Sequence, residues 1–253
     1  MTPKRNRVAH ILILAATLAG VWPSHATAAT VLFEDDFADG DRSGWNVSDS
    51  DEVGVSTATS DSDNYSMYLR NQGSSASSPV VDASGANEVE VSLWVQRGND
   101  NISENPEGGE DLILYYRNSG GVWQSVESWP GGGDPNSVFI DNATISLPSD
   151  AKHSGLQIAF VNESMNCCDY DYWHVDTVRI RDLPPPADSD GDGVSDATEN
   201  SRGTDPNDPD TDGDGTNDGA EGANDVDGDG TIDALESDDS DADGDGVSNE
   251  FDS

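Results

Sequence analysis

The chain has 253 residues, 51 of them acidic and 11 basic, for a formal net charge of −40, and 33% are apolar. A field of that sign repels phosphate and excludes nucleic acid as a partner. The only two cysteines are adjacent, so no disulfide staples distant parts of the chain. Stability has to come from an apolar core or from bound cations.

The first element is a targeting segment. Lys4, Arg5 and Arg7 precede an apolar stretch over 8–21, and Ala26-Thr27-Ala28 supplies a small-residue cleavage signal. Together they predict a secretory signal peptide over 1–28 and a mature chain that is secreted or held at the cell surface, an uncleaved N-terminal anchor being the alternative. The apolar core is shorter than the ~20 residues of a spanning helix, and no later run reaches that length. No transmembrane segment is therefore expected after signal removal.

The stretch 29–183 has the length of one domain and reads as all-β. Val89-Glu90-Val91-Ser92-Leu93-Trp94-Val95 alternates apolar and polar residues at the period of a half-buried strand. Further short strands are predicted at 30–33, 53–56, 67–70, 112–117, 122–127, 137–140, 143–147, 156–162 and 173–181. Clusters of Gly, Asn, Ser and Asp separate them, and no helical period intervenes, which gives a sandwich or jelly roll. Trp45, Trp123, Trp129, Tyr170 and Tyr172 sit where strands meet loops and are candidates for a ligand-facing role beside their alternative role in the core.

No catalytic constellation accompanies these strands. Beyond the signal segment only His153 and His174 remain, and there is no G-x-S-x-G elbow, H-E-x-x-H pair or phosphate-binding loop. A hydrogen-bonded, buried role is expected for His174, next to Trp173 in the last strand. The domain is read as non-enzymatic.

Three landmarks carry a resemblance. Phe33-Glu34-Asp35-Asp36-Phe37 leads to Gly44-Trp45, Glu110-Asp111-Leu112-Ile113-Leu114-Tyr115-Tyr116 leads to Gly120-Gly121-Val122-Trp123, and Trp173-His174-Val175-Asp176 closes the domain. This order resembles the jelly-roll modules related to MAM-type and carbohydrate-binding sandwiches. The resemblance implies first and last strands lying side by side with a shared structural calcium. Asp36 and Asp176 are then its ligands, and Asp35 or Asp41 its helpers. The alternative for an Asp at a strand end is a turn cap. In an oxidising compartment Cys167 and Cys168, just before the last strand, are expected to close a vicinal disulfide, with free thiols or pairing between chains as the other possible states.

A proline linker at 184–187 precedes the last element, residues 188–253, which hold 24 acidic residues and one base, Arg202. Their spacing is regular. The first twelve-residue loop places Asp188, Asp190, Asp192, Asp196 and Glu199 at positions 1, 3, 5, 9 and 12, with the Val194 carbonyl at position 7 and Gly193 at position 6. The second repeats this with Asp210, Asp212, Asp214, Thr216, Asp218 and Glu221. The third uses Asp225, Asp227, Asp229, Thr231, Asp233 and Glu236, and the fourth Asp241, Asp243, Asp245, Val247, Asn249 and Asp252. Hard oxygen donors in this order, with Gly at the sharp turn, bind calcium. A solubilising tail has no reason to adopt the spacing, and four copies in tandem exclude chance. Asp252, shorter than Glu, and Asn249 make the fourth site the weakest.

After position 12 only ten, three and four residues separate successive loops, too few in the last two gaps for the flanking helices of a true EF-hand. The segment resembles thrombospondin type 3 repeats of bacterial secreted proteins, above all in Gly203-Thr204-Asp205-Pro206-Asn207-Asp208-Pro209-Asp210. That resemblance implies bare loops wound around Ca2+, a calcium-stabilised array with little regular secondary structure. Three classes of function remain: a binding module for an extracellular glycan on a calcium-rigidified stalk, an accessory part of a secreted hydrolase, and a structural component of a matrix or envelope.

Overall fold

In a computed structural model, the protein is described over residues 28–57, 59–61, 65–71, 73–98, 106, 108–132, 139–164, 172–226, 228 and 230–237. The expected signal segment through residue 27, Cys167, Cys168, Tyr170, Asp227, Asp229 and the whole fourth loop lie outside these residues. Contacts divide the chain at Pro186/Ala187, with one unit over Thr27–Pro186 and the repeats from Ala187 onward in the other.

Among the described residues the first unit has eleven strands in two antiparallel sheets: β1 (Thr30–Asp35), β2 (Asn46–Val47), β3 (Val53–Ser56), β4 (Ser66–Arg70), β5 (Ser75–Ser77), β6 (Glu88–Arg97), β7 (Glu110–Arg117), β8 (Trp123–Trp129), β9 (Phe139–Ser146), β10 (Ile158–Ser164) and β11 (Tyr172–Leu183). One sheet runs β3-β4-β11-β6-β9 with β1 added against β11, and the other runs β2-β5-β10-β7-β8. The first and last strands therefore pair, Phe33 opposite Ile180 and Asp35 opposite Val178. A bulge between Asp176 and Arg179 interrupts β11 against β6, and Thr177 adopts a left-handed φ of 50° there. The bend hands the free edge of β11 from β4 to β1.

Alternation builds the core directly. Val89, Val91, Leu93 and Val95 point inward from β6, Met67 and Leu69 from β4, and Leu112, Leu114 and Tyr116 from β7. Ile158 and Phe160 of β10 and Trp173 and Val175 of β11 complete the layer. Each such side chain contributes about 1.5–3 kcal/mol by leaving water. His174 is buried as its position in the last strand suggested. Its Nδ1 lies 3.1 Å from Ser66 Oγ, which donates to the Thr59 carbonyl and so accepts from the ring.

The sandwich departs from the expected strands in three places. β2 and β5 were not foreseen, because two residues and the run Ser75-Ala76-Ser77 carry no strand signal. The strands expected at 137–140 and 143–147 are one, β9. Asp141-Asn142, which reads as a turn, continues the ladder opposite Val95 and Trp94, and Asp141 accepts a hydrogen bond from the Trp129 indole at 2.8 Å.

Among its described residues the repeat unit holds α1 (Asp196–Arg202), α2 (Asp218–Glu221) and a 3-10 turn over Asp233–Leu235. Each starts at position 9, inside the loop. α1 gains a full two turns because Ser195 caps it through the Thr198 N–H and Gly203, at φ 96°, ends it with an N–H to the Glu199 carbonyl.

Candidate calcium centres and a groove on the sandwich

At their described residues the first three loops fold alike. Gly at position 6 is left-handed in each, with φ of 99°, 103° and 104° at Gly193, Gly215 and Gly230. Gly at position 4 is too, at Gly191, Gly213 and Gly228 (φ 77–81°), a requirement that the sequence pattern alone did not single out. The position-1 carboxylate is held by the loop's own amides. Asp188 accepts from Gly191 N at 2.8 Å, Asp210 from Gly213 and Gly215 N at 3.0 Å each, and Asp225 from Gly228 N at 2.6 Å.

Position 9 closes the loop. Asp196 accepts from Ser189 N and Oγ at 2.7 and 2.8 Å, Asp218 from Thr211 N and Oγ1 at 2.9 and 2.7 Å, and Asp233 from Val226 N at 2.9 Å. The amides of the same three residues donate to the carbonyls of Ala187, Pro209 and Asn224, the residues just before each loop. These carboxylates were expected as ligands. The bonds they already make suit contact with an ion through water, a common arrangement at position 9.

The oxygens that remain converge. Carboxylate oxygens of Asp188, Asp190 and Asp192 lie within 4.8 Å of one another, as do those of Asp210, Asp212 and Asp214. Two oxygens each ~2.4 Å from one calcium ion are separated by at most ~4.8 Å, and both groups stay within that limit. Asp190 Oδ2 and Asp212 Oδ2 are buried with no hydrogen-bond partner. Burial, reinforced by neighbouring carboxylates, raises both acids above the ordinary range.

Glu199 makes the strongest case. Carried into the unit by α1, it is fully buried and both carboxylate oxygens lack a partner. Burial first, then Asp190, Asp192, Asp196 and Asp218, pushes its pKa up to about 6. A buried carboxylate among four others, with no donor and no cation, is a large unfavourable term. A divalent cation removes it. In the third loop Asp225 and Asp233 are placed as in the first two, and Glu236 is half-buried.

Loops one and two also touch. Asp192 accepts from Gly219 N at 2.6 Å, 27 residues away, and a Cβ on Gly219 would lie 2.4 Å from the Asp192 carbonyl oxygen.

Asp36 and Asp176 have other tasks. Asp36 is exposed and accepts from Ala38 N at 3.1 Å, the turn-capping alternative. Asp176 is buried and accepts from Asp61 N and Thr177 N at 2.9 and 2.6 Å. Asp35 accepts from Phe37 N and the Trp45 indole, and Asp41 from Ser43 N. Among the described residues, groups of three or more potential ligands occur only in the repeats.

The aromatic candidates separate clearly. Trp45 is buried against Phe33, Phe37 and Phe160, with ring centroids 5.8–6.0 Å apart, and Trp129 is buried too. Tyr172 is half-buried beside Tyr68, and its hydroxyl accepts from Arg70 at 3.2 Å. Trp123 is 40% exposed and walls a groove of about 430 Å³ on the outer face of the β2-β5-β10-β7-β8 sheet.

One row of that groove crosses neighbouring strands in register: Asn46, Ser77, Ala159 and Tyr115. Small side chains make its floor and aromatic rings its wall. The Tyr115 hydroxyl donates to the Glu163 carboxylate, which with burial raises the phenol to about 12. In register these residues are four positions apart along β10, about 13 Å at ~3.3 Å per residue. The two side chains must therefore reach toward each other lengthwise along the sheet. Strand parity marks Tyr115 as outward, since Leu112, Leu114 and Tyr116 point in, but neither Tyr115 nor Glu163 was singled out from sequence.

Comparison with known proteins bears on the two units differently. Residues 188–209 match the bacterial TSP3 repeat family. Among solved structures, the chain is similar to the K1 cleaved adhesin domain of Lys-gingipain from Porphyromonas gingivalis (15% identity over 58% of this chain and 96% of that one, TM-score 0.43). It is also similar to the CBM22-1 xylan-binding domain from Paenibacillus barcinonensis (16% identity over 64% of this chain and 100% of that one, TM-score 0.43). Similarity this low says nothing of a ligand. No curated protein matches the chain. The molecule thus joins a β-sandwich to an acidic segment whose residues 188–209 match the bacterial TSP3 repeat.

Proposed function

We propose that the chain is an exported calcium-binding protein whose sandwich holds a glycan in the groove walled by Trp123, without turnover. The observation that carries the calcium half is Glu199, a fully buried carboxylate whose two oxygens have no partner and which feels the charges of Asp190 and Asp192. Asp188, Asp190, Asp192 and Glu199 would hold the first ion, and Asp210, Asp212, Asp214 and Glu221 the second. The third and fourth loops would bind in the same way through the residues at the same positions. Bound calcium supplies the positive charge around which each loop orders, so binding free energy becomes folding free energy.

The groove supports the glycan half. An exposed indole and a tyrosine ring offer flat apolar faces for sugar rings, and Asn46, Ser48, Ser75 and Ser77 offer donors and acceptors for hydroxyls. A glycosidase needs two carboxyl groups on opposite sides of the bond it breaks. Glu163 is the one acid among this groove's lining residues, which favours binding over hydrolysis. Export rests on the signal-like segment, and no helix among the described residues is long and apolar enough to cross a membrane.

A glycan array probed with the full-length mature chain and with its Trp123→Ala variant tests this reading. Binding that Trp123→Ala removes is expected. A blank array, or binding indifferent to Trp123, points to the structural alternative, and polysaccharide cleavage lost on Glu163→Gln to the hydrolase.

A further inference from the structure

We propose that Glu163, oriented by Tyr115, restricts the groove to uncharged glycan chains and turns away those carrying uronate or sulfate groups. This rests on the glycan reading above and goes further by naming the chemical class of ligand and the residue that selects it.

The groove is lined by Asn46, three serines, small apolar side chains, two aromatic rings and one carboxylate, with no lysine or arginine. A site for acidic sugars presents a cation, usually the planar fork of an arginine. The nearest base in the register is Arg117, opposite Trp123. Its guanidinium is turned to the Gly121 carbonyl and the Gln157 side chain, both at 3.3 Å, where it ties the β7–β8 turn. An anionic sugar lying against Glu163 would find no cation among the groove's lining residues, the Arg117 guanidinium being held at the turn by its two neutral acceptors.

The pairing explains why an exposed acid stands in such a place. The Tyr115 hydroxyl occupies Glu163 Oε1, which fixes the carboxylate and lays the tyrosine along the sheet. The remaining oxygen is free to accept from a sugar hydroxyl, a charge-assisted bond and thus stronger than a neutral one. One residue then favours hydroxyl-rich neutral chains and disfavours acidic ones. The sheet's five strands span ~19 Å between first and last axes at ~4.8 Å spacing, room for a chain of several sugars.

The test uses the full-length chain in affinity electrophoresis against neutral glucans, mannans and galactans, and against polygalacturonate beside its methyl ester, which shares the backbone but not the charge. Wild type should be retarded by at least one neutral chain and by the ester more than the free acid. Removing one like charge at ~4 Å in water is worth ~1 kcal/mol, about fivefold in affinity. Glu163→Gln should therefore narrow the neutral-to-acidic preference by about that factor, with an unchanged melting temperature. Tyr115→Phe, which frees the carboxylate but keeps its charge, should weaken neutral binding and keep the discrimination. Equal retardation by neutral and acidic chains, abolished by Trp123→Ala, would leave the groove standing and overturn the selectivity. A preference that Glu163→Gln does not change overturns it as well. Absence of any Trp123-dependent retardation removes the glycan reading and this inference together.

Discussion

Replacing Gly219 by alanine tests the contact between the first two loops. The new methyl carbon would stand 2.4 Å from the Asp192 carbonyl oxygen and 3.1 Å from its carbonyl carbon, backbone atoms that cannot rotate away. Restoring an ordinary separation of ~3.5 Å requires a shift of about 1 Å. That shift stretches the Gly219 N–Asp192 Oδ2 bond from 2.6 Å to about 3.6 Å, where it no longer counts as a hydrogen bond. A bond to a charged acceptor contributes about 1.5–3 kcal/mol. Alanine returns about 1 kcal/mol of helix propensity in α2. The net loss is about 0.5–2 kcal/mol, or roughly 2- to 30-fold in an equilibrium constant. Because Asp192 is a proposed ligand of the first site and Gly219 lies in the helix that leaves the second, the loss should appear as weaker calcium binding. Calcium titration of the full-length chain, followed by far-ultraviolet circular dichroism, reads it as a higher midpoint. A midpoint equal to wild type, or a lower one with alanine's propensity winning, would refute the reasoning.

The remaining predictions concern Glu199 and the aromatic residues. Glu199→Gln should lower the calcium stoichiometry by one in isothermal titration while making the metal-free protein more ordered, since it removes a buried charge that nothing balances. The pH dependence follows the same sign. Glu199 is raised from 4.5 to about 6 in the folded, metal-free unit, so its contribution to stability is fully present below 4.5 and lost as pH rises through about 6. Chelated protein should therefore gain dichroic signal on acidification from pH 7 to 5, while calcium-loaded protein loses affinity over the same interval. Trp173→Ala should destabilise the sandwich by about 3–5 kcal/mol, whereas Trp123→Ala should change its stability by no more than about 0.5 kcal/mol, a contrast that thermal melting resolves.

How much of this was legible in the sequence depended on whether the signal was local. The alternation in β6 and the 1-3-5-9-12 spacing of the loops are properties of a few neighbouring residues, and the structure repeats both. β5 was hidden because Ser75-Ala76-Ser77 holds no large apolar or β-branched residue, its strand character coming from β10 and β2 on either side. The exit helices were hidden by counting each loop to position 12, although the helix begins at position 9 and Glu199 is carried on it. Nothing local distinguishes Trp45 and Trp129 from Trp123; their burial depends on which ring meets the opposite sheet. Asp36 and Asp176 resembled a ligand pair through the order of landmarks, while their hydrogen-bond partners depend on turns that the order does not specify. The groove itself is assembled from strands up to 117 residues apart, Asn46 to Glu163, and only the folded sheet brings them together.

The central claim is that the acidic repeats are calcium sites that order around the metal. Isothermal titration of the chelated full-length chain, read with its circular dichroism, tests it most directly. The account predicts at least four calcium ions per chain, affinities in the ~0.1–1 mM range of extracellular modules, and a gain of ordered signal on loading. A stoichiometry near zero, or binding with no change in the spectrum, would contradict it.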